Sequence, residues 1–228
     1  MSLILPRPPR LHPRPRPPQP RKRDRNSVFT QLVNPSSPII NNLASLNYYL
    51  QTNPRMHLQF KYSKRGVSNL SNIVKSRKPA LMFLSEPQLY QCDSNLVLAP
   101  LLATYCHHLN SEDFFNPDLA LEKHKAKGGT LCLWHKALDP FASLLPTTSP
   151  AVLPLLLSVP GLSPSAHIGI YLPTRGQDQE FVLALAALSA VLQELKENHR
   201  DVPIYIRGDA NTNPNNQSRF SLFQNFLS

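Results

Sequence analysis

The chain has 228 residues, 41% of them apolar, with 24 prolines against 7 glycines and a formal charge of +10. That length can bury a real core, while three cysteines without Cys-x-x-Cys spacing argue against a disulfide framework or thiolate zinc site and point to a reducing, intracellular compartment. No run reaches the ~18 apolar residues of a membrane span, and eight of the 24 basic but one of the 14 acidic residues fall in 1–26, so the remainder carries a bias of only +3.

Residues 1–26 form a Pro/Arg-rich tail, expected to be disordered and polyproline II-like because proline fixes φ and removes donors. Arg14-x-x-Pro17-x-x-Pro20 matches the loose pattern of SH3 ligands, which any such tract meets by chance. The cluster Arg21, Lys22, Arg23 and Arg25 is either a nucleic-acid or nuclear-import patch or a solvated charge run. Residues 27–55 are polar and Asn/Ser-rich, a linker, and an ordered domain is expected over 56–228.

His57–Ser63 alternates apolar and polar residues as a half-buried strand does. Lys64-Arg65-Gly66 reads as a turn, and Val67, Leu70, Ile73 and Val74 then recur at helical spacing. Ala80–Leu84 is continuously apolar, a strand buried on both faces that ends in Ser85-Glu86-Pro87. Glu86 either caps a turn or faces a crevice. Residues 88–126 hold His107-His108 and the acids Glu112, Asp113 and Asp118, without metal-ligand spacing; satisfied or surface histidines are the expectation. Gly128-Gly129 opens a short strand to Trp134 and suggests close backbone packing. Val152–Val159 reads as an edge strand, because Pro154 lacks a ladder donor. A strand over His167–Leu172 precedes a helix marked by Phe181, Leu185, Leu188, Leu192 and Leu195. The strand of 202–207 delivers Asp209 and Asn211, which on extended chain would point the same way. Gly-Asp-x-Asn is also ordinary turn chemistry, and turns are commoner than sites. Phe220–Leu227 carries a further helical face.

Taken in order, Tyr62-Ser-Lys-Arg-Gly-Val67, Phe83-Leu-Ser-Glu86, Gly128-Gly129, Ile170-Tyr-Leu-Pro-Thr174 and Ile206-Arg-Gly-Asp-Ala-Asn-Thr212 resemble the motifs of the endonuclease/exonuclease/phosphatase family. The nearest likeness is to the endonuclease domain of non-LTR retrotransposons, over 56–228. The resemblance implies an α/β fold, a partial four-layer α/β sandwich of two β-sheets flanked by helices and incomplete at the C-terminus. It implies Mg²⁺ (or Mn²⁺) and phosphodiester hydrolysis on DNA. Glu86 would ligate the metal, Asp209 would activate water, Asn211 would hold a phosphate oxygen and Tyr171 would donate to the phosphate. Ser63 stands where the family carries Asn, and Pro87 where it carries Thr. The family's Asp-His element has no counterpart here, so the resemblance implies a weak or inactive enzyme, nuclear rather than cytoplasmic. The other reading of the chain is a non-catalytic protein that binds nucleic acid or SH3 domains through its tail.

Overall fold

The computed structural model describes residues 55–59, 64–116, 118, 126–174, 176–212 and 217–227. The tail with Arg21, Lys22, Arg23 and Arg25, the linker up to residue 54, and Ser63 lie outside the described residues.

Among the described residues, eight strands form two four-stranded sheets. The first runs β1 (Arg55–Gln59), β2 (Leu81–Ser85), β4 (Thr130–His135), β3 (Tyr105–Asn110) in spatial order. The second runs β5 (Ala142–Leu144), β6 (Val152–Leu157), β7 (Ser165–Tyr171), β8 (Ile204–Asp209). The pairs β1–β2 and β7–β8 are parallel, each closed by a helical crossover: α1 (Lys64–Arg77) in the first case and α4 (Asp178–Asn198) in the second. The other pairs are antiparallel. Short helices α2 (Gln91–Leu98) and α3 (Glu112–Phe115) flank β3, and α5 (Gln217–Leu227) follows β8. The architecture is an α/β sandwich, two mixed sheets with helices outside.

Three apolar clusters give the layers. Phe83, Cys132, Trp134, Leu153 and Leu155 fill the space between the sheets. Leu70, Val74, Met82, Leu84 and Leu133 bury α1 on the first sheet. Phe181, Ala184, Leu188, Val191 and Leu195 bury α4 on Ile168 and Ile170 of the second. This is why β2 reads as unbroken apolar sequence: alternate residues serve opposite layers, and all five are buried. On α4 the buried face shifts from the leucine stripe toward Ala184, Ala187 and Val191, with Leu185 and Leu192 half-buried. Small residues let the helix approach the sheet closely.

Two expectations are corrected. Lys64–Gly66 is the first turn of α1 rather than a loop. The Val152 segment is an interior strand, with β5 at the edge. Pro154 is tolerated because N and C=O of one residue face the same neighbour in an antiparallel ladder. Its carbonyl accepts from Leu145 N (3.1 Å), just beyond the end of β5, so no bond to β7 is lost. His107 and His108 lie on β3, which the sequence did not mark as a strand; they contact Ser94 Oγ (3.4 Å) and Asn110 Oδ1 (3.0 Å), and are satisfied rather than ligating.

Gly208 takes a φ of 151°, and a Cβ there would overlap the Ile170 carbonyl oxygen of β7. Gly208→Ala should therefore destabilise by about 3 kcal/mol or more in urea unfolding; a change under about 0.5 kcal/mol would contradict the strand contact. His167 is buried, bonded through Nε2 to Ser165 Oγ (3.0 Å) and stacked on Tyr205. Burial, then the Arg55 and Arg207 charges, hold its imidazole down at about 3. A depressed folded value leaves stability whole above the unfolded pKa near 6.5 and removes it as pH falls from there toward 3. The loss should approach roughly 1.4 kcal/mol per pH unit from this group, and His167→Gln should flatten that part of the pH–stability curve.

Candidate active site

The carboxyl ends of β2, β7 and β8 meet at one rim of the sandwich. Ser85, the last residue of β2, donates from Oγ to the Ile170 carbonyl of β7 across the sheets (3.0 Å). Its single proton is used there, so it accepts from His57 Nε2–H of β1 (2.7 Å). Asn110 Nδ2 donates to Val152 O (2.8 Å) and Thr130 Oγ1 to Pro150 O (3.0 Å), so the same rim is tied at three points. The residues following Ser85 and Ile170 are Glu86 and Tyr171, brought together by the first of these ties.

Glu86 sits at φ 58° and Gln88 at φ 51°, left-handed positions that cost a side-chain-bearing residue about 1–2 kcal/mol each. The glycine pair holds them there: Glu86 N donates to Gly129 O (3.0 Å) and Gln88 N to Gly128 O (3.3 Å). Gly128 and Gly129 are themselves left-handed, and a Cβ on Gly129 would press on the Asn110 carbonyl at 2.8 Å. The close packing expected of this pair is present. Gln88 Nε2 donates to Glu86 Oε1 (3.0 Å), aiming the carboxylate.

The Asp209–Asn211 pair departs from the extended geometry. Asn211 is left-handed at φ 47°, and its backbone N–H donates to Asp209 Oδ1 (2.9 Å). The segment is an Asx-turn placed at a strand end, so turn and site are one feature. Asn211 Nδ2 donates to Leu172 O (2.6 Å), tying this turn to the end of β7. The Tyr171 phenol lies within electrostatic reach of Glu86, Asp209 and Asn211. Burial first, then the Glu86 and Asp209 charges, push its phenol up to about 12. It therefore stays protonated at neutral pH and is available as a hydrogen-bond donor.

The structure thus brings Glu86, Tyr171, Asp209 and Asn211 together. A cleft of about 640 Å³, lined by Glu86 and Tyr171 but not by Asp209 or Asn211, runs along α4 past Gly128, Thr148 and Gln177 to Leu183 and Ala190. Glu112 and Glu180 add carboxylates and Lys127 a cation; burial raises the Glu112 pKa, Lys127 opposing. Sequence reasoning missed Arg219 of α5. It is buried, donates to Asp178 Oδ1 (2.7 Å) and Pro173 O (2.9 Å), and stacks on Phe181 at 4.6 Å. It clamps the loop after Tyr171 onto the start of α4, and its partners, 41 and 46 residues away in sequence, gave no local signal. Among the described residues, no three His, Cys, Asp or Glu side chains form a metal-holding group.

No family model and no curated protein matches the chain. Solved structures do. The human Nocturnin catalytic domain with bound sulfate is 16% identical over 74% of this chain and 64% of its own, TM-score 0.50. ANGEL2, a 2′,3′-cyclic phosphatase, is 14% identical over 74% and 55%, TM-score 0.52. The Neisseria 3′ phosphatase NExo, bound to a product DNA hairpin, is 13% identical over 75% and 69%, TM-score 0.50. The chain shares the fold of these three structures. The chain spans 64% and 55% of the length of the first two.

Glu86→Gln should lower the Tyr171 phenol pKa part of the way back toward 10, read by ¹³C NMR of the labelled ring in metal-free buffer. An unchanged value would separate the two side chains.

Proposed function

We propose that this chain hydrolyses phosphodiesters of DNA, as an endonuclease of the mobile-element type acting in the nucleus. The observation that carries the reading is the convergence of Glu86, Tyr171, Asp209 and Asn211 at one rim, from three strand ends that are distant in sequence. Tyr171, kept protonated, donates to a phosphate oxygen. Asp209 has Oδ1 committed to the Asx-turn, and Oδ2 orients and deprotonates a water. Asn211 fixes the Tyr171 end of β7 and directs its remaining amide hydrogen at the phosphate. The left-handed backbone of Glu86 supports a functional carboxylate there, since strain of this kind persists where the surrounding structure enforces it.

The oxygens of Glu86 fit Mg²⁺ or Mn²⁺, hard cations that keep several waters and need only one or two carboxylates. Such an ion would neutralise charge on the phosphate and polarise the P–O bond. With no third acidic or histidine ligand grouped there among the described residues, turnover is expected to be slow. The DNA hairpin bound to NExo and the cyclic phosphatase activity of ANGEL2 support a phosphate-ester substrate.

Supercoiled plasmid incubated with the full chain and Mg²⁺ should be nicked slowly. Asp209→Ala and Glu86→Ala should each reduce the rate by about 10²–10³. Nicking unaffected by both substitutions, or none with either Mg²⁺ or Mn²⁺, would overturn the proposal.

A further inference from the structure

The sheets end on the same side of the sandwich, at β1 and β8, and their facing surfaces there carry charge. Met56 and Leu58 of β1 pack outward under the helices, which turns Arg55 and His57 toward the second sheet. Ile204 and Ile206 of β8 pack on the α4 side, which turns Tyr205, Arg207 and Asp209 toward the first. His167 joins them from β7. Three buried nitrogens in this group, Arg55 Nε, Arg207 Nη1 and His167 Nδ1, have no hydrogen-bond partner. Asp209 is the sole carboxylate on these faces among the described residues, and its Oδ1 is committed to Asn211.

We infer that the slot between β1 and β8 is an oxyanion site, in which Arg55 and Arg207 hold a phosphate group from opposite sheets. A guanidinium has donors and no acceptor, so two of them facing one another can be reconciled only by a ligand that accepts. Both side chains are half-buried, and their buried, unpaired Arg55 Nε and Arg207 Nη1 carry a desolvation cost that such a ligand would offset. The Arg55 charge, after burial, already pulls down the Arg207 pKa. Facing sheets stand about 10 Å apart, within the combined reach of two arginine side chains, so both guanidinium groups can address one small ion. A tetrahedral phosphate presents oxygens to both sheets, whereas a carboxylate matches a single fork. Arg207 is held over the Tyr205 ring at 5.6 Å, so its fork is oriented before a ligand arrives. The site stands whether or not the neighbouring rim is hydrolytic. Its phosphate is either free or the terminal phosphate of a nucleic acid.

Calorimetric titration of the full chain with inorganic phosphate, and with a short oligothymidylate carrying or lacking a 5′-phosphate, tests the inference. Wild type should bind inorganic phosphate, and Arg55→Gln and Arg207→Gln should each weaken it by roughly tenfold or more. Asp209→Asn should bind at least as well as wild type. Both Gln variants remove a repelling charge, so their phosphate-free melting temperatures should equal or exceed that of wild type. Arg207→Lys, which keeps charge without the fork, should weaken binding less than Arg207→Gln and serves if a Gln variant fails to fold. Tighter binding of the phosphorylated oligonucleotide than of its unphosphorylated form assigns nucleic acid as the source; equal binding assigns the free ion. No phosphate binding by wild type, or equal binding by the Arg variants, overturns the site. Absence of plasmid nicking with phosphate binding intact would remove only the hydrolytic reading.

Discussion

Of the three hydrogen bonds that tie the two sheets at this rim, the one from Ser85 Oγ to the Ile170 carbonyl sits directly behind the candidate site. Strands within a sheet are held in register by their ladders, but nothing in a ladder sets one sheet against the other. Apolar packing does that loosely, because dispersion and burial are non-directional. A buried hydroxyl aimed at a buried carbonyl is directional, and leaving either unpaired costs about 1–3 kcal/mol. The same carbonyl excludes any side chain at Gly208, so β2, β7 and β8 are aligned on a single oxygen atom. Glu86, Tyr171 and Asp209 each lie one residue beyond that alignment.

Charge is distributed across the inter-sheet space in a way that follows from this geometry. Toward β3 and β5 the space is apolar, filled by Phe83, Trp134 and the leucines of β6. Toward β1 and β8 it becomes polar, with His57, His167, Arg55 and Arg207. Burial lowers the His57 pKa, and the Asp209 and Arg207 charges act on it in opposite directions. The rim and the slot are thus parts of one electrostatic field: carboxylates at the strand ends, cations behind them. A phosphate-bearing ligand entering from the β1–β8 side would meet the cations first.

Much of this was legible in the chain. The unbroken apolar run of β2, the glycine pair and the α4 periodicity report their layers directly, because each residue's neighbour in sequence serves a different layer. Glu86, Tyr171, Asp209 and Asn211 were legible as candidates through the order of the motifs they belong to, since Gly-Asp-x-Asn by itself is ordinary turn chemistry. What was hidden depends on partners distant in sequence. Pro154 looks like an edge residue until β5 is seen to stop beside it. Asn211 looks extended until its own N–H bonds Asp209. Ser85 looks like a strand end, and Arg219 like a surface charge, until Ile170 and Asp178 are placed against them.

The central claim is that the inter-sheet bond places Glu86 against Tyr171. It is tested most directly by the Tyr171 phenol pKa in Ser85→Ala, Glu86→Gln and the double variant, in metal-free buffer. If Ser85 sets the pairing, the shift caused by Glu86→Gln shrinks once Ser85 is alanine, and the two substitutions are not additive. An equal Glu86→Gln shift in both backgrounds would show that the site is assembled without the bond, and would contradict the account.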